Sequence, residues 1–168
     1  MAVGAAGAKN AALMAARILG LKHEEIRHAV EQHRQKLAIG EKGGELVTPR
    51  TFEQIWEDIE KLKGQTVYTL DQHVRNDIID IAPKEVKRKS ERGNGIKPVP
   101  IRAFRNAWGK LVEQGYCEVN KSKTWGIAAA CLAYLPEVEY SLKPRKLHLL
   151  YDKKHFHAFG EPKEHKDS

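Results

Sequence analysis

Only two cysteines occur, Cys117 and Cys131. They make no CxxC pair and no disulfide framework. Such sparse thiols suit a reducing, cytoplasmic compartment. Cys131 lies in an apolar stretch and reads as core. Long hydrophobic runs are missing too. The longest, Gly126 to Leu135, falls well short of the roughly 20 residues that cross a membrane, so no membrane partner is expected. The Ala-rich start, Met1 to Leu21, lacks the layout of a signal peptide. Lys9, Asn10 and Arg17 interrupt its apolar residues instead of preceding them.

Catalytic and metal signatures are equally scarce. No Ser-His-Asp or Cys-His arrangement stands out by spacing. His148, His155 and His157 cluster late in the chain, but Asp152 is the only carboxylate near them. A closed metal site needs a fuller ligand set. His23, His28 and His33 recur every five residues and scatter around a helix. Glu57, Asp58 and Glu60 read as a solvated helix face. No catalytic residue, metal ligand or cofactor is assigned.

What is present is a globular composition: 168 residues, 41% apolar and 30% charged. That bounds the chain to one ordinary domain or two small ones. The net charge is +7, and it is uneven. Residues 84–124 hold eleven basic and four acidic side chains, a surplus equal to that of the whole chain, whereas residues 41–83 hold five and nine. A segment charged in this way attracts anions.

Gly40, Gly43, Gly44 and Pro49 punctuate IGEKGGELVTPR, which reads as a linker over 40–50. It divides the chain into a helical segment over 1–39 and a module over 51–159, with a loose polar tail at 160–168. In the first part, Asn10 is a candidate N-cap, and a second helix is expected from about His23 to Leu37. In the module, Thr51 caps a helix over 52–62 whose apolar face is Phe52, Ile55, Trp56, Ile59 and Leu62. Helices are also expected over 101–114, ending at Gly115, and over 125–135, ending at Pro136. Strands are expected over 65–70, 78–81, 116–119, 138–140 and 146–151. ERGNG, Glu91 to Gly95, is a turn signal. The fold class is α+β, with a small mixed module of possible winged-helix type.

Residues 3–19 read VGAAGAKNAALMAARIL. This stretch resembles the C-terminal loop and helix of class I 5-(carboxyamino)imidazole ribonucleotide mutase, the PurE or AIR carboxylase family. The family pattern is A-I-G-x-A-G-A-x-N-A-A-L-L-A-A-x-I-L. The match runs without a gap, with Val3 in place of Ile and Met14 in place of Leu, and extends over about residues 2–38. The resemblance implies a segment derived from a flavodoxin-like α/β sandwich that assembles as a homo-oligomer. It implies a purine-pathway ribonucleotide as ligand, isomerase chemistry and no cofactor. By carry-over, Gly4, Ala5, Ala6, Gly7, Ala8 and Asn10 form a loop over the substrate. The family's Gly-Ser-x-Ser-Asp loop and its catalytic Ser and His-Arg positions lie upstream of that loop and do not recur in this chain. The chain is therefore expected to be the tail of such an enzyme, truncated or fused to an accessory binding module, and inactive alone.

The basic segment offers a second reading. Lys87, Arg88, Lys89 and Arg92 precede or enter the turn, and Arg102, Arg105 and Asn106 follow on a helix. A basic hairpin beside such a helix can track phosphates, and Arg and Asn can read base edges. On this reading the chain is a nucleic-acid-binding module. A third reading is a structural appendage that mediates assembly.

Overall fold

The computed structural model describes residues 12, 14–16, 18–19, 23, 26, 30, 47–120 and 122–165. The chain divides into two compact units, Met1–Leu46 and Val47–Ser168. In the first, Ala12, Met14 to Ala16, Ile18, Leu19, Ile26 and Val30 are helical, and His23 is not. Met14, Ile18 and Leu19 are exposed, at 66%, 60% and 51%.

The second unit is α+β. Its elements are α1 (Phe52–Glu60), β1 (Thr66–Tyr68), β2 (Arg75–Ala82), β3 (Glu85–Ser90), β4 (Ile96–Pro100), α2 (Ile101–Gln114), β5 (Tyr116–Glu118), α3 (Lys123–Leu132), β6 (Val138–Leu142), β7 (Arg145–Leu149), a 3-10 turn at Lys153–His155, and β8 (Lys163–Glu164). Strands β1 to β4 form an antiparallel meander in chain order. The second sheet has the order β5-β7-β6-β8, with β8 parallel to β6.

Local chemistry explains the helices. The Thr51 side chain accepts from the Gln54 N–H at 3.3 Å, and the Gln54 side chain accepts from the Thr51 N–H at 2.9 Å. This reciprocal cap fixes the start of α1. Ile55, Trp56 and Ile59 form its buried face. The helix stops two residues earlier than its apolar pattern, and Leu62 stays buried within the turn that follows. Gly64, at φ +78°, then donates its N–H to the Ile78 carbonyl at 2.8 Å, a left-handed conformation that glycine adopts without strain. Gly115 ends α2 in the same conformation, donating to Leu111. Ala103, Phe104, Ala107, Trp108 and Leu111 are the buried face of α2.

The third helix is the centre of the core. Every residue from Ile127 to Leu135 is buried, which marks a helix enclosed on all sides. It packs on α2 and on strands β1 and β4, and its run of alanines allows close approach. Burial pushes the Cys131 thiol up to about 12 and that of Cys117 up to about 11. Both are free thiols held protonated, without the reactivity of a thiolate.

The strands differ more from expectation. β2 runs over eight residues because Ile79 is an extra residue bulging between the pairs Ile78↔Arg88 and Asp80↔Lys87. The bulge breaks the alternation that marks a strand in sequence. β4 contains Pro98 and Pro100, which its edge position tolerates. β8 falls within the polar tail, where Lys163 and His165 both bind Glu139, at 3.0 and 2.7 Å. Residues 47–50 belong to the module rather than to a linker: the Val47 N–H donates to the Tyr151 carbonyl, and Arg50 binds Asp58 and Glu137. Among the described residues of this unit, β5 stands between α2 and α3, so the turn-linked helix pair of a helix-turn-helix is not formed. No helix of the described residues is long and apolar enough to cross a membrane.

Candidate functional site

β3 reads EVKRKS, and a strand sends alternate side chains to opposite faces. Val86, Arg88 and Ser90 share the inner face, while Lys87 and Lys89 share the outer one. Register extends this face across the sheet. Val86 lies opposite Val99, Arg88 lies between Ile78 and Lys97, and Ser90 lies opposite Asn76. The inner face is therefore apolar at one end and polar at the other.

The polar end forms one wall of a cavity of about 700 Å³. The first turn of α3 borders it through Ser122, Gly126 and Ile127. Loop residues 69–72 and Val74, the hairpin turn after β3, Val119 and Asn120, and Ser141, Leu142 and Arg145 add to the lining. Ser122 caps α3 by accepting from the Trp125 N–H at 3.2 Å. The positive pole of a ten-residue helix thus lies at the cavity.

Among the described residues, four cations line this space and one acid, Asp71. Asp71 pairs with Arg145 at 2.7 Å. Arg92 donates to the neutral Gln72 at 3.0 Å. Among the described residues, neither Arg92, Lys97 nor Arg88 pairs with a carboxylate. Arg88 is the most constrained, at 7% exposure. Its Nη1 donates to Asn76 Oδ1 at 2.6 Å, and Asn76 is fixed in turn by donating Nδ2 to the Val74 carbonyl at 2.8 Å. Among the described residues, its Nε has no hydrogen-bond partner. Burial pushes the Arg88 guanidinium below its ordinary pKa, yet a guanidinium keeps its charge at neutral pH. A buried cation held in place without an anion is costly to a fold and is suited to an anionic ligand.

The residues singled out in sequence separate in space. Arg88 and Arg92 line the cavity, joined by Lys97. Lys87 and Lys89 point to the other side of the sheet, where Lys87 lies 3.9 Å from Glu85. Arg102, Arg105 and Asn106 are exposed on α2. Arg105 stacks over Phe52 at 4.8 Å and lies 3.9 Å from Glu53. None of these five lines the cavity. Asn76, Ser122 and Arg145, which do line it, carry no motif in sequence. The inward phase of Arg88 was the one available signal, through its spacing from Val86. Gly4, Ala5, Ala6, Gly7, Ala8 and Asn10 lie outside the described residues.

Nucleophilic chemistry finds little support at this wall. The Ser141 hydroxyl donates to the Pro144 carbonyl at 2.7 Å, with His148 Nε2 2.9 Å from the same oxygen. With the hydroxyl proton engaged at Pro144, His148 serves as a donor and not as a base toward Ser141. His148 stacks on His165 at 4.2 Å, His157 bonds the Val138 carbonyl, and His155 lies 3.9 Å from Asp152. Among the described residues, no three His, Cys, Asp or Glu side chains group as metal ligands.

No protein-family model matches the chain, and neither a curated protein nor a solved structure matches it.

Proposed function

We propose that residues 47–165 form a nucleic-acid-binding module that engages phosphates at the Arg88 cavity. The observation that carries this reading is the group of three cations, Arg88, Arg92 and Lys97, facing one cavity without a carboxylate partner among the described residues. Basic surfaces without internal neutralisation release counterions on binding a phosphate backbone, which makes affinity fall steeply with salt. A reducing, cytoplasmic setting suits two buried free thiols. The test is binding of a short fluorescent oligonucleotide across a salt series. Replacing Arg92 and Lys97 by Gln should weaken binding about tenfold and lower the salt slope by about 2. Replacing Lys87 and Lys89, on the opposite sheet face, should do less. No binding at low salt would overturn the proposal.

The purine-enzyme reading of residues 3–19 stands as a second proposal for the first unit. It is favoured by the gapless motif, and by helical backbone at Ala12, Met14 to Ala16, Ile18 and Leu19 where the family has its helix. On this reading a ribonucleotide contacts the loop only when the family's upstream motifs are supplied. Mutase turnover by this chain alone would overturn the expectation that it is inactive without those motifs.

A further inference from the structure

We infer that the Arg88 cavity takes the terminal phosphate of a nucleic-acid strand, a phosphomonoester, in preference to the internal phosphodiesters. The inference rests on the nucleic-acid reading only for what carries the phosphate. Three observations lead to it.

The first is charge. Arg145 is matched by Asp71, which leaves three cations and the positive pole of α3 around one space. A phosphomonoester carries a charge of about −1.5 to −2 at neutral pH, against about −1 for each backbone phosphate. The second is pre-positioning. Asn76 occupies Nη1 of Arg88 and orients the planar guanidinium, whose buried Nε has no hydrogen-bond partner among the described residues, at the wall of the cavity. Arginine recognises phosphate through paired N–H donors of this kind. The third is the walls. Among the described residues no aromatic side chain lines the cavity, and such residues are what give a base a platform on which to stack. The volume falls within the range of small-ligand sites.

The experiment compares oligonucleotides of one sequence bearing a 5′-phosphate, a 3′-phosphate or neither, titrated against the full chain by fluorescence anisotropy. Phosphorylation at one end should tighten binding about tenfold or more. Arg88→Met should abolish that preference, so that the end-phosphorylated and unphosphorylated strands bind alike. Lys97→Gln, at an exposed position, should reduce it several-fold without disturbing the fold, so the inference stays testable if Arg88→Met fails to fold. Equal binding of all three strands would overturn the inference and leave the nucleic-acid reading intact. No binding of any strand would overturn both. Ribose 5-phosphate binding the chain as tightly as the end-phosphorylated strand would move the phosphate to a free metabolite and overturn the strand-end assignment.

Discussion

Arg50 and Arg88 are both drawn out of water, but their surroundings differ. Arg50 places Nε 2.7 Å from Glu137 and Nη1 2.6 Å from Asp58, and its carbonyl accepts from the Trp108 indole at 3.0 Å. Burial opposes its charge, but the hydrogen bonds to Glu137 and Asp58 outweigh that cost and raise its pKa. Arg88 has one neutral amide and an unpaired Nε. The first arrangement is closed: it ties α1 to the loop before β6 and pairs the cation with two carboxylates. The second is open. One arginine serves the fold, whereas the other leaves charge for something outside it.

This contrast can be broken most sharply at Arg50. Arg50→Ala should cost about 3 kcal/mol, because Glu137, at 5% exposure, loses the cation that permits its burial. Tryptophan fluorescence in a urea series reads this cleanly, since Trp56, Trp108 and Trp125 all belong to the second unit. An unchanged midpoint would remove Arg50 from the structural side of the comparison.

Acid should act on the same junction. Burial pushes the Asp58 carboxyl up, but hydrogen bonds from Lys61 and Arg50 hold it below its ordinary value of 3.8. Glu139 is likewise raised by burial but held below its ordinary value of 4.5 by His165 and Lys163. Carboxyls depressed in the folded state add stability above their unfolded pKa values and lose it as pH falls through the folded ones. Unfolding midpoints should therefore decline below about pH 4, and the decline should be shallower in Arg50→Ala. Parallel curves would show that Arg50 contributes no linkage.

At the cavity the expected stability changes are smaller. Replacing an uncompensated buried cation by apolar volume is often neutral or favourable, whereas Asn76 loses a partner. Arg88→Met should stay within about 1 kcal/mol of the parent by the same balance, and a loss as large as that of Arg50→Ala would make Arg88 structural. The finest comparison uses two glycines. A Cβ at Gly109 or at Gly126 meets nothing within 4 Å. Each Gly→Ala change should add about 0.5–1 kcal/mol through helix propensity. Only the Gly126 change, which borders the cavity, should alter oligonucleotide binding.

The helices were legible because their signals are local. Thr51 with Gln54, the spacing of Phe104, Ala107, Trp108 and Leu111, and Gly115 all lie within a turn or two of what they specify. The strands were less so. The bulge at Ile79 interrupts β2, prolines occupy β4, and β8 exists only through pairing with β6. For the candidate site, the basic run was visible, but a run of Lys and Arg does not reveal which member points inward. That depends on register with Val99 and Asn76, a long-range fact. The carboxylates of Arg50 are more distant still: Glu137 lies 87 residues away.

The bulge also has a meaning for chain length. Ile78 and Ile81 both face inward, opposite Arg88 and Val86, and Ile79, 42% exposed, is the residue without a place in the ladder. Removing it would leave each neighbour on its present side. The strand that sets Arg88 against its neighbours can thus shorten by one without reversing its faces, which makes this position a natural site for a gap when sequences of different length share the same sheet.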